Sequence, residues 1–149
     1  MAKKTGDDIA IASDHAAFDL KQHLLKYLLK KGYAVIDMGT RNRKSVDYPA
    51  YAHKLARSVS SGEVSSGILL CGTGIGTSIA ANRHAGVRAA LVHDIFTARM
   101  AKAHNNANIL VLGGRILAPH YAEILVDTWL ETEYEGGRHQ RRLDMIDEE

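Results

Sequence analysis

The chain has 149 residues, of which 46% are hydrophobic and 24% are charged, and its formal net charge is +2 at pH 7. This length fits one domain, and this composition excludes a disordered chain. The small net charge does not indicate nucleic acid or a membrane surface as a partner, and the longest apolar runs fall far short of the roughly 20 residues that cross a bilayer. With a single cysteine and no apolar leader after Met1, we expect a cytoplasmic protein without disulfides.

Short apolar segments alternate with longer segments of helical periodicity along the chain. The predicted strands are 9–12, 34–36, 67–71, 87–92 and 108–112. The predicted helices are 15–31, 51–59, 75–83, 95–104, one that begins at Pro119, and a tail helix over 136–149. This alternation is typical of right-handed βαβ crossovers, and strands that are apolar throughout indicate a sheet buried on both faces. We therefore expect one domain over 1–149, an α/β three-layer sandwich with a five-stranded parallel sheet, after a flexible lead-in over 1–7.

Polar and glycine residues follow the predicted strands, at the edge of a parallel sheet where ligands usually bind. Three glycines, Gly72, Gly74 and Gly76, join a strand to a helix, so backbone N–H groups and the helix N-terminus can face an anion there. The alternative is a tight turn without a ligand. Thr77 excludes a dinucleotide fingerprint, a Walker loop and a cysteine-phosphatase loop, since each requires another residue type at that position.

The lone cysteine, Cys71, ends the strand before this loop. A helix N-terminus stabilises the thiolate, which is the nucleophilic and basic form of the side chain. The alternative is a small buried apolar residue, which is the commonest state of a free cysteine. The position beside the glycine loop favours a functional thiol.

The eight histidines include no pair at i, i+4 and no His-x-His, so their spacing does not predict a metal site. His15 follows the first strand and His104 ends a predicted helix, and both suit proton transfer. Arg138 and Arg142 lie four residues apart and could clamp a phosphate from one helix face. The alternative for these arginines is a solvated basic face.

Six motifs occur in the order seen in type B ribose-5-phosphate isomerases, and the chain resembles that family from residue 8 to the tail. They are Ser13-Asp14-His15, Asp47-Tyr48-Pro49, Cys71-Gly72-Thr73-Gly74-Ile75-Gly76, Ala80-Ala81-Asn82, His104-Asn105-Asn106-Ala107-Asn108 and Tyr134-Glu135-Gly136-Gly137-Arg138-His139. The resemblance implies a Rossmann-like fold, no metal, no cofactor, a cytosolic location, and a homodimer or homotetramer whose sites combine residues of two subunits. It implies interconversion of ribose 5-phosphate and ribulose 5-phosphate in the pentose phosphate pathway.

The resemblance also implies a role for each matching residue. Cys71 is implied to be the base that moves a proton between C1 and C2, and His104 the proton donor that opens the sugar ring. The loop residues Gly72, Thr73, Gly74, Ile75 and Gly76 are implied to stabilise the enediolate. The implied substrate-binding residues are Asp14, His15, Asn105, Arg115, Arg138 and Arg142. Arg141 departs from the family pattern by adding a charge beside Arg142.

Three alternatives remain at this point. The same family includes isomerases of hexose 6-phosphates, of the allose or galactose type. A non-catalytic phosphosugar-binding module could use the same fold, because a fold does not fix function, although a pure binder has no need of a thiol at the loop. A nucleotide-binding module is the third, and Thr77 counts against it.

Overall fold

The structure, a computed structural model, describes residues 8–148. Within these residues, five strands and six α-helices alternate along most of the chain. The strands are β1 (Ile9–Ser13), β2 (Val35–Asp37), β3 (Ser66–Cys71), β4 (Ala89–Leu91) and β5 (Ile109–Gly113). The helices are α1 (Phe18–Lys30), α2 (Tyr48–Ser60), α3 (Ile75–Ala81), α4 (Ile95–Ala103), α5 (Pro119–Glu131) and α6 (Arg138–Ile146). The predicted lead-in over 1–7 lies outside the described residues.

The strands form one parallel sheet in the order β2-β1-β3-β5-β4. This confirms the predicted α/β fold with a five-stranded parallel sheet. The three central strands β1, β3 and β5 are almost entirely buried, as their unbroken apolar sequences require. The order places the carboxyl ends of these three strands side by side, so the segments that follow them meet at one edge.

Two apolar cores cover the two faces of the sheet. The helices that pack on these cores are the two outer layers of the three-layer sandwich. On one face, α1, α4 and α5 pack on the larger side chains of the central strands, with Trp129 fully buried among them. On the other face, α2 and α3 pack on the small residues Ala10 and Ala12 of β1 and on larger side chains of β3 and β5. Close approach of α2 depends on Gly67, because a Cβ atom there would lie 2.5 Å from Leu55 Cδ2. Gly67 and the small residues of β1 therefore allow α2 to lie close to the sheet.

The structure corrects several details of the predicted elements. The edge strands β2 and β4 are only partly buried, since each has a neighbour on one side only, so the expectation of full burial is wrong for them. The predicted helix 15–31 begins with a 3₁₀ turn over His15–Ala17, which the Asp14 side chain caps. The tail helix begins at Arg138 rather than 136, because Gly136 and Gly137 both have positive φ. None of the described helices is long and apolar enough to cross a bilayer.

Candidate functional site

The loop after β3 wraps around the sulfur of Cys71. The Gly74 N–H donates to Sγ at 3.2 Å, and the Thr77 hydroxyl lies 3.4 Å from the same sulfur. Gly74 is the N-cap of α3 and has a φ of 81°, which favours glycine. Donors aimed at a sulfur from a helix N-terminus stabilise a thiolate. Cys71 is 5% exposed, so the side chain lies under this loop with only a small part reaching the surface.

The rest of the loop presents backbone groups at the same helix end. The Ile75 N–H donates to Thr73 Oγ1 at 3.2 Å, which tightens the turn. Gly76 lies in the first turn of α3, where backbone N–H groups have no intrahelical acceptor. The Tyr48 ring covers Gly76 so closely that a Cβ atom there would meet it at 2.4 Å. An anion held at this helix end would lie beside both the thiol and the phenol.

Two predicted substrate-binding residues follow β1, the neighbour of β3. Asp14 is buried, and its Oδ1 accepts hydrogen bonds from the N–H groups of Ala16 and Ala17 at 3.0 and 3.3 Å. Both bonds go to one carboxylate oxygen, so they do not occupy the other. His15 Nδ1 accepts a hydrogen bond from the Val46 N–H at 3.1 Å. This bond places a ring proton on Nε2, which makes that atom a donor.

Arg115 reaches the glycine loop from the segment after β5. The backbone N–H of Arg115 donates to the Gly72 carbonyl at 2.9 Å. The side chain is also close, because a Cβ atom at Gly72 would lie 3.3 Å from Arg115 Nη1. The guanidinium therefore lies over the loop, where a positive charge can hold a phosphate or a developing oxyanion. Cys71, its loop, Asp14, His15 and Arg115 form one group, which we call the carboxyl-edge group.

The other four predicted residues lie elsewhere. His104 is the C-cap of α4, and Asn105 follows it on the way to β5. Arg138 and Arg142 lie on α6, which is attached to the same corner by a hydrogen bond from the Glu135 N–H to the Ala103 carbonyl at 3.0 Å. A cavity of about 210 Å³ opens between these segments. Its lining residues are His104, Asn105, His139, Arg142, Leu143 and Ile146. We call His104, Asn105, Arg138 and Arg142 the amino-edge group.

His104 stacks on a second histidine, His139. Their ring centroids are 4.2 Å apart with 17° between the ring planes. The Glu135 carboxylate lies 3.6 Å from His104 Nε2 and 3.9 Å from His139 Nε2. Burial lowers the pKa of His139 below its usual value, and the charges of His104 and Arg138 lower it further. The stacked pair thus disfavours protonation of the buried ring.

The two groups lie at opposite edges of the sheet. Helix α4 has nine residues and runs back from the carboxyl edge to the amino edge, which at 1.5 Å per residue spans about 13 Å. Asn108 confirms the position of its end, because its carbonyl accepts from the N–H of Gly67 near the start of β3. Cys71, in contrast, pairs with Gly113 at the last position of β5. One chain therefore does not bring Cys71 and His104 together.

Four side chains that contact these groups have no role predicted from the sequence. They are Tyr48, Thr77, Glu135 and His139. Tyr48, Glu135 and His139 lie within motifs that carried the family resemblance, which is the signal that could have identified them. Thr77 served only to reject other motifs, although its Oγ1 faces the sulfur. No pattern of spacing indicates that contact, because it depends on the turn of α3.

Comparison with known proteins identifies the family of the chain. A family model described as Ribose/Galactose Isomerase matches residues 9–146. The chain belongs to the ribose/galactose isomerase family. Ribose-5-phosphate isomerase B of Escherichia coli is 45% identical over 138 residues, 93% of each chain. The crystal structure of a ribose 5-phosphate isomerase from Thermotoga maritima is 57% identical, with a TM-score of 0.94 over 96% of this chain and 99% of that one.

A further family member was crystallised with a sugar phosphate. It is ribose-5-phosphate isomerase B of Mycoplasma genitalium with bound ribulose-5-phosphate. It is 40% identical, with a TM-score of 0.91 over 97% of this chain and 95% of that one. The matches to this family span nearly the whole chain, so they include both the carboxyl-edge and the amino-edge segments.

Proposed function

We propose that the protein is an aldose–ketose isomerase that interconverts ribose 5-phosphate and ribulose 5-phosphate, as its relatives are named to do. The observation that carries this proposal is the sulfur of Cys71, which lies under a donor-rich loop at a helix N-terminus. Such a thiolate can act as a base beside a preorganised oxyanion site, and aldose–ketose isomerisation requires both. The role belongs in the non-oxidative pentose phosphate pathway, in the cytoplasm.

The proposed reaction begins with ring opening. His104 donates a proton to the ring oxygen while the C1 hydroxyl releases its proton to solvent, and the open aldose results. The Cys71 thiolate then removes the proton from C2, and the electron pair moves to the C1 oxygen to give an enediolate. N–H groups of the glycine loop stabilise this oxygen. As the same proton returns to C1, the C2 hydroxyl passes its proton to the C1 oxygen and the C2 oxygen becomes the ketone, so the reaction needs no redox cofactor.

The phosphate would be held by positive charges from both groups. Arg115 and the His15 Nε2–H lie at the carboxyl edge, and Arg138 and Arg142 lie at the amino edge. Asp14 and Asn105 offer hydrogen-bonding groups to the sugar hydroxyls. Binding energy from a phosphate remote from the reacting carbons can orient the substrate and so raise turnover.

The separation of the two groups leads us to propose that the site forms between two copies of the chain. In a twofold dimer, the amino edge of one protomer can cover the carboxyl edge of its partner, and the reverse contact completes a second site. Large apolar side chains are exposed at both edges and could be buried in such a contact. They include Ile75, Ile79, Phe96 and Ile116 around the thiol, and Met145 and Ile146 on α6. We propose a homodimer as the smallest active unit, which a homotetramer would contain twice.

A coupled assay of the purified protein tests the reaction. We expect turnover of ribose 5-phosphate to exceed that of allose 6-phosphate and galactose 6-phosphate, and a reversed order would assign the protein to the hexose branch. Cys71→Ala is expected to abolish turnover, while His120→Asn, at a highly exposed histidine, serves as the control. Binding of ribulose 5-phosphate without turnover by the wild-type protein would support the non-catalytic alternative. Substantial turnover by Cys71→Ala would refute the role of the thiol.

A further inference from the structure

Three side chains from two separate segments of the chain meet at the amino edge and could bind a metal ion. His104, Glu135 and His139 each offer one ligand atom, and these atoms all lie within 4.8 Å of one another. His104 is at the end of α4. Glu135 precedes α6, and His139 lies in the first turn of α6. The spacing of histidines along the chain does not reveal the cluster, because the fold rather than the sequence brings the two rings together.

The buried nitrogen of His139 gives an independent indication of a ligand. His139 is 7% exposed, and among the described residues its Nε2 has no hydrogen-bond partner. A buried polar atom without a partner destabilises the folded chain unless a ligand satisfies it. This nitrogen and His104 Nε2 both approach Glu135 Oε2, at 3.9 and 3.6 Å. A cation between the three atoms would satisfy the nitrogen and compensate the carboxylate.

The two distances to Glu135, 3.6 and 3.9 Å, are near those between ligand atoms of a zinc site, and the distance between the two histidine nitrogens is within 4.8 Å. Zinc binds imidazole nitrogen and carboxylate oxygen at about 2.0–2.2 Å, so tetrahedral ligands lie roughly 3.3–3.6 Å apart. Chelation requires the imidazoles to turn out of their stacked arrangement. His104 can make this turn, because its side chain is 38% exposed and stands at a helix end. The neighbouring cavity of about 210 Å³ leaves space for a fourth ligand such as water.

We propose that His104, Glu135 and His139 form a binding site for a divalent zinc-type ion, and that occupation of this site inhibits the enzyme. The ion would take the lone pair of His104 Nε2, displacing its proton to solvent if the ring is protonated. The metal-bound nitrogen cannot then donate a proton to a sugar ring. Zinc is in this case a reversible inhibitor and not a cofactor. The inhibition rests on the proposed role of His104, whereas the binding site does not.

Binding is tested without reference to activity. Purified protein is first titrated with Co²⁺, whose tetrahedral complexes absorb strongly in visible light. Equilibrium dialysis with Zn²⁺ as a competitor then measures the affinity for zinc. We expect one equivalent per chain, and an affinity at least about tenfold lower in His139→Asn and in Glu135→Gln. Glu135 is half-exposed, so its variant is a second test that does not disturb the buried ring. Equal affinity in wild type and both variants would overturn the proposal.

Two control variants identify competing sites. His84→Asn removes one member of the other close histidine pair, where His53 Nδ1 lies 2.7 Å from His84 Nε2. Cys71→Ser removes the thiol. We expect both controls to bind the metal as the wild type does. Loss of binding in either one would overturn the assignment to His104, Glu135 and His139.

The inhibition is tested by assaying each variant relative to its own metal-free rate. We expect Zn²⁺ to inhibit the wild type, EDTA to restore the rate, and Glu135→Gln to need at least about tenfold more Zn²⁺ for the same inhibition. Equal sensitivity of wild type and variant would overturn the inhibitory role. If the wild type has no isomerase activity, the proposed function fails while the dialysis result still decides whether the site binds metal.

Discussion

Replacement of Gly74 by alanine tests whether the thiol loop depends on its backbone conformation. The φ of 81° costs an L-residue about 1–2 kcal/mol. The new Cβ atom would also lie 2.5 Å from Leu91 Cδ1 and 3.2 Å from the backbone C and O of Leu112. Overpacking of this kind costs about 1–3 kcal/mol. We therefore expect Gly74→Ala to lower the free energy of unfolding by roughly 2–5 kcal/mol, the sum of these two costs.

A matched control separates the two costs. Gly62 has a similar φ of 80° but no atom within 4 Å of its ideal Cβ position, so Gly62→Ala should cost only the conformational part, about 1–2 kcal/mol. Adding Leu91→Ala to Gly74→Ala removes the contact with Cδ1 but not the contact with the Leu112 backbone. Equilibrium urea unfolding at one fixed protomer concentration measures these differences. Equal destabilisation by Gly74→Ala and Gly62→Ala would refute the packing argument.

Two further predictions concern stability. Lys21 is fully buried and donates to both oxygens of Asp37 at 2.8 Å. Lys21→Met leaves this partly buried carboxylate without its charged partner. Urea unfolding should show that the free energy of unfolding falls by about 3 kcal/mol, near the lower end for buried pairs because Asp37 is 25% exposed. A fall below about 1 kcal/mol, typical of a surface pair, would contradict this. Burial, His53 and Arg57 lower the pKa of His84. Because the unfolded chain then binds more protons than the folded one, the free energy of unfolding should fall as the pH drops below about 6.5. Thermal unfolding should show a smaller fall with pH in His84→Asn than in the wild type. An equal fall in both would exclude His84 as a cause.

The fold could be predicted from the sequence because the apolar segments of the central strands are also the segments that are buried in the structure. β1, β3 and β5 are apolar and buried at nearly every position, so their predicted bounds differ from the observed ones by one residue at most at each end. The edge strands were less certain in their boundaries, since half-buried positions tolerate more residue types. The glycine loop and Cys71 were likewise predictable, because both follow a strand that is evident in the sequence.

The arrangement of the site required the structure. His104 was identified as a candidate, but its position at the opposite edge from Cys71 follows from the direction of α4. Its contacts with Glu135 and His139 follow from the two glycines with positive φ that turn the chain into α6. Neither fact has a periodic signal in the sequence. The family resemblance implies a site shared between subunits, and the separation of the two edges supports that proposal.

In the proposed enzyme, catalysis needs the carboxyl-edge group of one protomer and the amino-edge group of another. Cys71→Ser and His104→Asn are each expected to be inactive alone. After the two variants are unfolded together and refolded in equal amounts, random pairing gives half mixed dimers, each with one intact site, so roughly a quarter of wild-type activity should return. Differently tagged chains that co-purify would show that mixed dimers have formed. Mixed dimers without any recovered activity would contradict the account.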